Sequence, residues 1–385
     1  LPNITLVPSV EFPTAGAAYS SNDFMLEGYP TLRVGTGKAW WENHWKTYYL
    51  GYFDNTKCYK FSDPQNFNGH FYVSSKATTD AQGRVGLCSG NDEEYSGNFL
   101  NWATMSAIDI FRHTLTGGNR AYGTGNSSSD YQAGDTTNDT FLRRAFVNPD
   151  QNGKDRYRLK LRAIDLGGNA KPADFAFLKR IIPGSMVDSF LIPTTEPGWG
   201  YPLGFQYLTG SNYGQSVPST AQVKWANKIF FYNTGFSVQA VVVDSNNKDL
   251  WFQNRSEVSD TKTEDPQIKD KVRKAMNAIR GTPNMNYGAM PVVVKACDEQ
   301  FGISDIPKNC RKYNNSYKPE GLMQQYGRGN GANILPARFA VFGYPVVEGS
   351  DISGGVLRAR MKYLDRTQQE GSVVYGQEWE FGNAG

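Results

Sequence analysis

The stretch "SGNFLNWATMSAIDIFRHTLTGGNRA", Ser96–Ala121, decides the fold class. Ser96 or Asn98 supplies an N-cap. Leu100, Ala103, Ala107, Ile110, Phe111 and Leu115 recur at helical spacing, and Gly117-Gly118 provides a left-handed stop. One helix over Asn98–Thr116 is therefore expected. Trp102, Met105 and Ile108 widen its apolar arc, so it should be buried on more than one side and lie against a sheet.

Outward from this helix the chain reads as β-rich. "NITLV" near the start is a buried strand, closed by Pro8 and Pro13. Gly28 to Phe53 is crowded with aromatics and reads as strands and a surface loop, and Tyr122 to Asn138 is a polar, glycine-rich loop. "DRYRLKLRAID", "AQVKWANKIFFYN" and "FSVQAVVVDSNNKDLWFQN" alternate with period two, the last as a hairpin turning at "DSNNKD". A second helix runs from Asp265-Pro266 to Gly281, with Ile268, Val272, Ala275, Met276 and Ile279 on one face. "MPVVVKAC" has the continuous apolar run of a strand covered on both faces. A short helix in "KPEGLMQQYG", a strand in "ARFAVFGYP" and the glycine-led "SGGVLRARMKYL" follow. Strand and helix alternate at the two ends around a β-rich middle. The expected organisation is an α/β core made of 1–121 and 287–385, carrying a β-rich insertion at 122–286.

Bulk properties narrow the function classes. The chain has 385 residues, more than an ordinary single domain, and 40 Gly with 19 Pro favour short strands and long loops. A formal charge of +3 is too small for the broad positive field of a nucleic-acid binder. No apolar run approaches the roughly 20 residues that span a bilayer. The chain has no initiator Met, basic n-region or apolar h-region, and reads as a mature piece of something longer.

Four cysteines fall into two local pairs, Cys58 with Cys88 and Cys297 with Cys310. These spacings match no zinc pattern, so short-range disulfides in an oxidising compartment are expected, each contributing about 3 kcal/mol in the chain-entropy picture. A redox or metal role is the alternative. His44, His70 and His113 are too dispersed for a metal site or a nucleophile–base pair. The chain lacks G-x-S-x-G, P-loop, H-E-x-x-H and dinucleotide fingerprints, so a non-enzymatic protein without a cofactor is expected. The acids in Asn91–Tyr95 and Glu348–Asp351 read as solvated, as does the basic face Lys269, Lys271, Arg273, Lys274 and Arg280, which could otherwise grip phosphates. Trp40, Trp41 and Trp45 are the candidate contact residues, since aromatic faces stack on sugars or anchor partner proteins; packing under a loop is the competing reading.

Several segments together resemble a known family. "YLGYFDNTKCYKF", "GNFLNWATMSAIDIFRHTLTGGNRA", "NSYKPEGLMQQYG", "RFAVFGYP" and "GGVLRARMKYL" are similar to the N-terminal region of the PilC/PilY family of type IV pilus tip adhesins, as is "SVEFPTAGAAY". The resemblance implies a von Willebrand factor A-like core sheet with covering helices, in a secreted protein at the pilus tip. It also implies a C-terminal β-propeller, which is not recognisable here, as in a fragment. In that family a D-x-S-x-S loop after the first strand helps hold a divalent cation, whereas this chain reads Pro8-Ser9-Val10-Glu11-Phe12-Pro13-Thr14. Ser9, Glu11 and Thr14 still offer oxygens, but the aspartate is missing and the prolines impose other torsions, so a lost cation site is expected. The implied partners are minor pilins and a host-cell or surface ligand such as a glycan. The rival roles are pilus assembly or retraction, and DNA capture through the basic helix.

Overall fold

The computed structural model describes residues 2–7, 16–19, 25–26, 29–33, 45–62, 69–121, 139–147, 161–165, 172–188, 228–234, 236–243, 290–313, 316–328, 336–343, 356–364, 368–370, 372–375 and 379. From the N-terminus the strands are β1 (Asn3–Leu6), β2 (Met25–Leu26), β3 (Tyr29–Arg33), β4 (Lys57–Phe61), β5 (Phe71–Lys76) and β6 (Tyr95–Ser96). Helices α1 (Gly97–Thr104) and α2 (Ala107–Thr116) come next, then β7 (Thr140–Arg143), β8 (Leu161–Asp165), α3 (Pro172–Leu178) and α4 (Gly184–Asp188). They are followed by β9 (Lys228–Thr234), β10 (Ser237–Val243), β11 (Met290–Pro291), β12 (Val293–Ala296), β13 (Cys310–Tyr313) and β14 (Ser316–Pro319). The last elements are α5 (Leu322–Arg328), β15 (Arg338–Gly343), β16 (Val356–Lys362), β17 (Gln368–Glu370) and β18 (Val373–Tyr375). The protein is mixed α/β, with several sheets and few helices.

Two compact units divide the chain. The first takes Leu1–Ala18, Ser106–Ala145 and Val293–Gly385; the second takes Tyr19–Met105 and Phe146–Val292. In the second unit a six-stranded sheet has the order β11-β10-β9-β8-β3-β2. Its β3–β8 pair is parallel and its other pairs are antiparallel. The same unit holds the antiparallel set β6-β4-β5. Its aromatic core follows these strands. Phe53 meets Tyr59 and Phe71 edge-on at 5.2 and 5.4 Å, Phe71 meets Tyr95 at 5.7 Å, and Phe99 meets Phe231 at 5.0 Å. Edge-to-face packing lets each ring's positive rim meet a neighbour's negative face, adding to the apolar burial.

In the first unit β1 runs parallel to β15, which pairs antiparallel with β16. The pair β12–β7 and the hairpins β13–β14 and β17–β18 complete its strands. Ala337, Phe339 and Leu364 form a small core, with Ile4, Met323 and Trp379 packed against it. The Trp379 Nε1–H donates to Tyr313 Oη at 2.7 Å, Tyr313 and Arg328 both donate to buried Glu320, and the Arg120 guanidinium lies over the Trp379 ring.

The deciding stretch forms two helices where one is expected. Ser96 caps α1, its Oγ accepting from Phe99 N at 3.2 Å. Met105 then turns extended (φ −79°, ψ 137°) and ends the helix. Ser106 starts α2, where the Asp109 carboxylate accepts from the Ser106 N–H at 3.1 Å and hydroxyl at 2.5 Å. This reciprocal cap competes with continued helix, and Ser106-Ala-Ile-Asp109 is the sequence form of it. The boundary between the units falls at the same break. All of α1 is buried, as the wide arc implies, but α2 buries Asp109 alone and leaves Phe111 41% exposed. Gly117 stops α2 at φ 75° as expected.

Elsewhere the strands in "NITLV", "LRAID", "KIFFYN", "SVQAVVV" and "RFAVFG" and the short helix after Pro319 form as read, whereas "MPVVVKA" divides at Val292 into β11, which pairs with β10, and β12, which pairs with β7. β1 is not buried: it alternates exposed and half-buried residues, because it pairs with β15 alone among the described strands. β10 forms its hairpin with the preceding β9, Ser237 opposite Thr234. The "DSNNKD" turn and the helix from Asp265 to Gly281 lie outside the described residues.

Candidate functional site

The segment Trp45–Asn55 of the second unit is an irregular loop, and its backbone groups need partners that a regular ladder would supply. Two asparagines one turn apart on α1 supply them. Asn98 Oδ1 accepts from Tyr49 N at 2.7 Å, and its Nδ2 donates to Thr47 O at 3.0 Å. Asn101 Oδ1 accepts from Phe53 N at 3.1 Å, and its Nδ2 donates to Tyr49 O and Phe53 O, both at 2.8 Å. Asn55 Nδ2 adds a bond to Tyr49 O at 3.1 Å. Both helix asparagines are fully buried. The approach is so close that a Cβ on Gly51 would lie 2.1 Å from Asn101 Oδ1.

The clamp divides the loop into anchored and displayed side chains. Trp45 and Tyr49 point inward, while Lys46, Thr47, Tyr48 and Leu50 are exposed, Tyr48 at 45% and Leu50 at 58%. Tyr19 braces the display, its hydroxyl donating to Leu50 O at 2.7 Å and its ring meeting Tyr49 edge-on at 4.8 Å. Burial pushes the Tyr49 phenol up to about 12, and the neighbouring Tyr19 adds to the shift. The result is a loop whose backbone is pinned by buried amides while Lys46, Tyr48 and Leu50 face solvent.

Trp45 is not a surface residue. It is 1% exposed, packs within 6.2–6.4 Å of Phe177, Tyr49 and Phe99, and its carbonyl accepts from Val85 N at 2.9 Å. Its large apolar area is worth more in the core than outside, which corrects the reading of Trp45 as a contact. Trp40 and Trp41 lie outside the described residues, as do Ser9, Glu11, Thr14, His44, the basic residues Lys269–Arg280 and the acids Glu348–Asp351. The signal that finds the clamp is Asn98 and Asn101 themselves, two polar poor helix formers inside an apolar arc.

Both cysteine pairs are bonded as expected. Cys58–Cys88 has S–S 2.07 Å and Cys297–Cys310 has S–S 2.02 Å, each with Cα atoms 5.8 Å apart. Of the described histidines, His70 approaches Ser62 Oγ at 3.4 Å, and burial on α2 with the Arg120 charge holds the His113 imidazole below its usual range. In Asn91–Tyr95, Asn91, Asp92 and Glu93 are exposed, but Glu94 is buried, contrary to the solvated reading. Among the described residues, one group of three His, Cys, Asp or Glu side chains converges closely enough to hold a metal ion: Cys58, Cys88 and Glu94.

The clamped loop, α1, α2 and the Cys58–Cys88 disulfide all fall within residues 42–159, which match the family described as PilY1 homolog, small alpha/beta domain. Over 365 residues, 94% of this chain, the sequence is 25% identical to a type IV pilus biogenesis factor PilY1 homolog of Xylella fastidiosa (strain Temecula1), covering 21% of that protein. A second protein of the same description and strain is 24% identical over 346 residues, 88% of this chain and 18% of that protein. The chain is thus similar to PilY1 homologs, through the family match at 42–159 and through both longer alignments. It spans about a fifth of the length of these curated relatives. No solved structure matches. No helix among the described residues is long and apolar enough to cross a membrane.

Proposed function

We propose that this chain is a non-enzymatic contact module of a type IV pilus tip protein, displayed outside the cell, that binds a host-cell or surface ligand such as a glycan. The observation that carries the reading is the Asn98–Asn101 clamp, which presents Lys46, Tyr48 and Leu50 on a fixed backbone inside the family-matched segment. Aromatic and aliphatic tips with one cation suit a sugar ring or a protein groove, and Trp40 and Trp41 precede them in the chain. Tip position lets weak single contacts act together across many pili. The two disulfides suit the oxidising route to the surface. The von Willebrand factor A-like part of the proposal rests on the first unit, where β1 runs parallel to β15 and α2 and α5 belong to the same unit. Loops of the β-rich region 122–286 add further contacts in this reading.

A second reading is favoured by the descriptions of both relatives as pilus biogenesis factors: contact with minor pilins during assembly or retraction. One experiment separates the two. The double variant Tyr48→Ser, Leu50→Ser is introduced into the full-length protein in a piliated bacterium, beside a deletion of the whole region. Normal pili with reduced attachment is the expected outcome for the double variant. Loss of pili supports the assembly reading, and unchanged attachment with unchanged pili removes the clamped loop from either role.

A further inference from the structure

The Cys58–Cys88 pair has a neighbour that surface contact does not use. Both Sγ atoms and a Glu94 carboxylate oxygen lie within 4.8 Å of one another, and all three residues are buried. Glu94 is 1% exposed. Its Oε1 accepts from Ser74 Oγ at 2.5 Å, while Oε2 has no hydrogen-bond partner among the described residues. A buried carboxylate oxygen lacking both donor and cation is unfavourable and rarely kept without a reason. The strand register explains the hydroxyl. Cys58 lies opposite Ser75 and Tyr59 opposite Val73, so Ser74 is the extra residue of a bulge beside the sulfurs. Ser74 thus orients one carboxylate oxygen and leaves the other for a ligand.

We propose that Cys58, Cys88 and Glu94 form a redox-gated site for a divalent cation of the zinc class, occupied while the cysteines are reduced. A dithiol reductant gives two electrons and two protons to the disulfide, becoming a cyclic disulfide itself and leaving two thiols. The cation then displaces both thiol protons to solvent and forms two metal–sulfur bonds and one bond to the Glu94 carboxylate. A disulfide oxidant then takes two electrons from the thiolates and two protons from solvent, becoming a dithiol, as the Cys58–Cys88 bond reforms and the cation is released. Two thiolates and a carboxylate fill three corners of a zinc tetrahedron, with water at the fourth, and thiolate softness selects against calcium and magnesium. The cation would close the same 30-residue separation that the disulfide closes, so the second unit could fold before oxidation.

The test uses the whole chain, reduced with dithiothreitol and desalted without oxygen, then titrated with Co2+ and competed with Zn2+. One equivalent of Co2+ should give near-ultraviolet thiolate-to-cobalt absorption that Zn2+ removes. Cys58→Ser should abolish the band, and the double variant Cys297→Ser, Cys310→Ser should keep it. Glu94→Gln should weaken Co2+ binding by at least about 10-fold, because loss of a ligand costs more than loss of a group that orients one. Zn2+ should also raise the melting temperature of the reduced chain and leave that of the oxidised chain unchanged. Absence of the band, its persistence in Cys58→Ser, unchanged affinity in Glu94→Gln, or a reduced chain that stays unfolded with Zn2+ would each overturn the proposal.

Discussion

Replacing Asn101 by alanine tests the clamp directly. The side chain is fully buried and makes three hydrogen bonds to the loop backbone. Tyr49 O keeps its bond from Asn55 Nδ2 in the variant, but Phe53 N–H and Phe53 C=O both lose their bonds to Asn101. An orphaned buried donor or acceptor costs about 1–3 kcal/mol, so two give roughly 2–6 kcal/mol, centred near 4. For a unit the size of Tyr19–Met105 with Phe146–Val292, about 2–4 °C of melting temperature is lost per kcal/mol, or roughly 8–16 °C in all. Asn101→Asp keeps the shape and Oδ1 but turns the donor into an acceptor facing two carbonyl oxygens, so it should be at least as damaging. Urea and thermal unfolding followed by tryptophan fluorescence measure the loss. Limited trypsin digestion reads the local effect, because Lys46 sits in the released loop and should be cleaved faster. A stability change below about 0.5 kcal/mol in Asn101→Ala, with unchanged cleavage at Lys46, would refute the clamp.

Three further outcomes follow from the same contacts. Trp45→Ala should cost about 3–5 kcal/mol in urea unfolding, whereas exposed Tyr48→Ala should stay within about 0.5 kcal/mol; equal effects would contradict the inward and outward assignment. Gly117→Ala should cost roughly 2–5 kcal/mol in the first unit, since Gly117 has φ 75° and an added Cβ would lie 2.2 Å from Pro319 O, and a neutral result would disprove that close approach. Burial, with Arg120 beside it, holds the His113 imidazole below its ordinary 6.5, so the unfolded chain takes up the proton first. Its contribution is complete above pH 6.5 and is lost as pH falls from there through the depressed folded value. His113→Gln should flatten that limb of a stability–pH curve, and an unaltered slope would exclude it.

What could be read from the sequence followed how local each signal is. Ser96 and Gly117 mark the ends of the Ser96–Ala121 stretch correctly because capping involves neighbours in the chain. The break at Met105 carried an equally local mark in Ser106 and Asp109. Apolar periodicity masked it, because Met105 and Ala107 fit the stripe whether or not the backbone bonds continue. Strand existence was legible in "SVQAVVV" and "RFAVFG", but pairing was not, since alternation says which face is apolar and nothing about the neighbour. That is why the apolar run "NITLV" predicts a buried strand while β1 alternates exposed and half-buried residues. The site shows the same divide with the opposite bias. Trp45 drew attention by its size, and that size is what drives it into the core. Asn98, a candidate N-cap in the sequence, and Asn101, to which no role is assigned there, are buried amides that must find donors and acceptors, here about 50 positions earlier in the chain. Glu94 belongs to the same class, a charge in an acidic run whose burial only the fold reveals. In this chain the polar residues that break an apolar pattern locate the clamp, and on the clamped loop Trp45 is buried while Tyr48 and Leu50 are exposed.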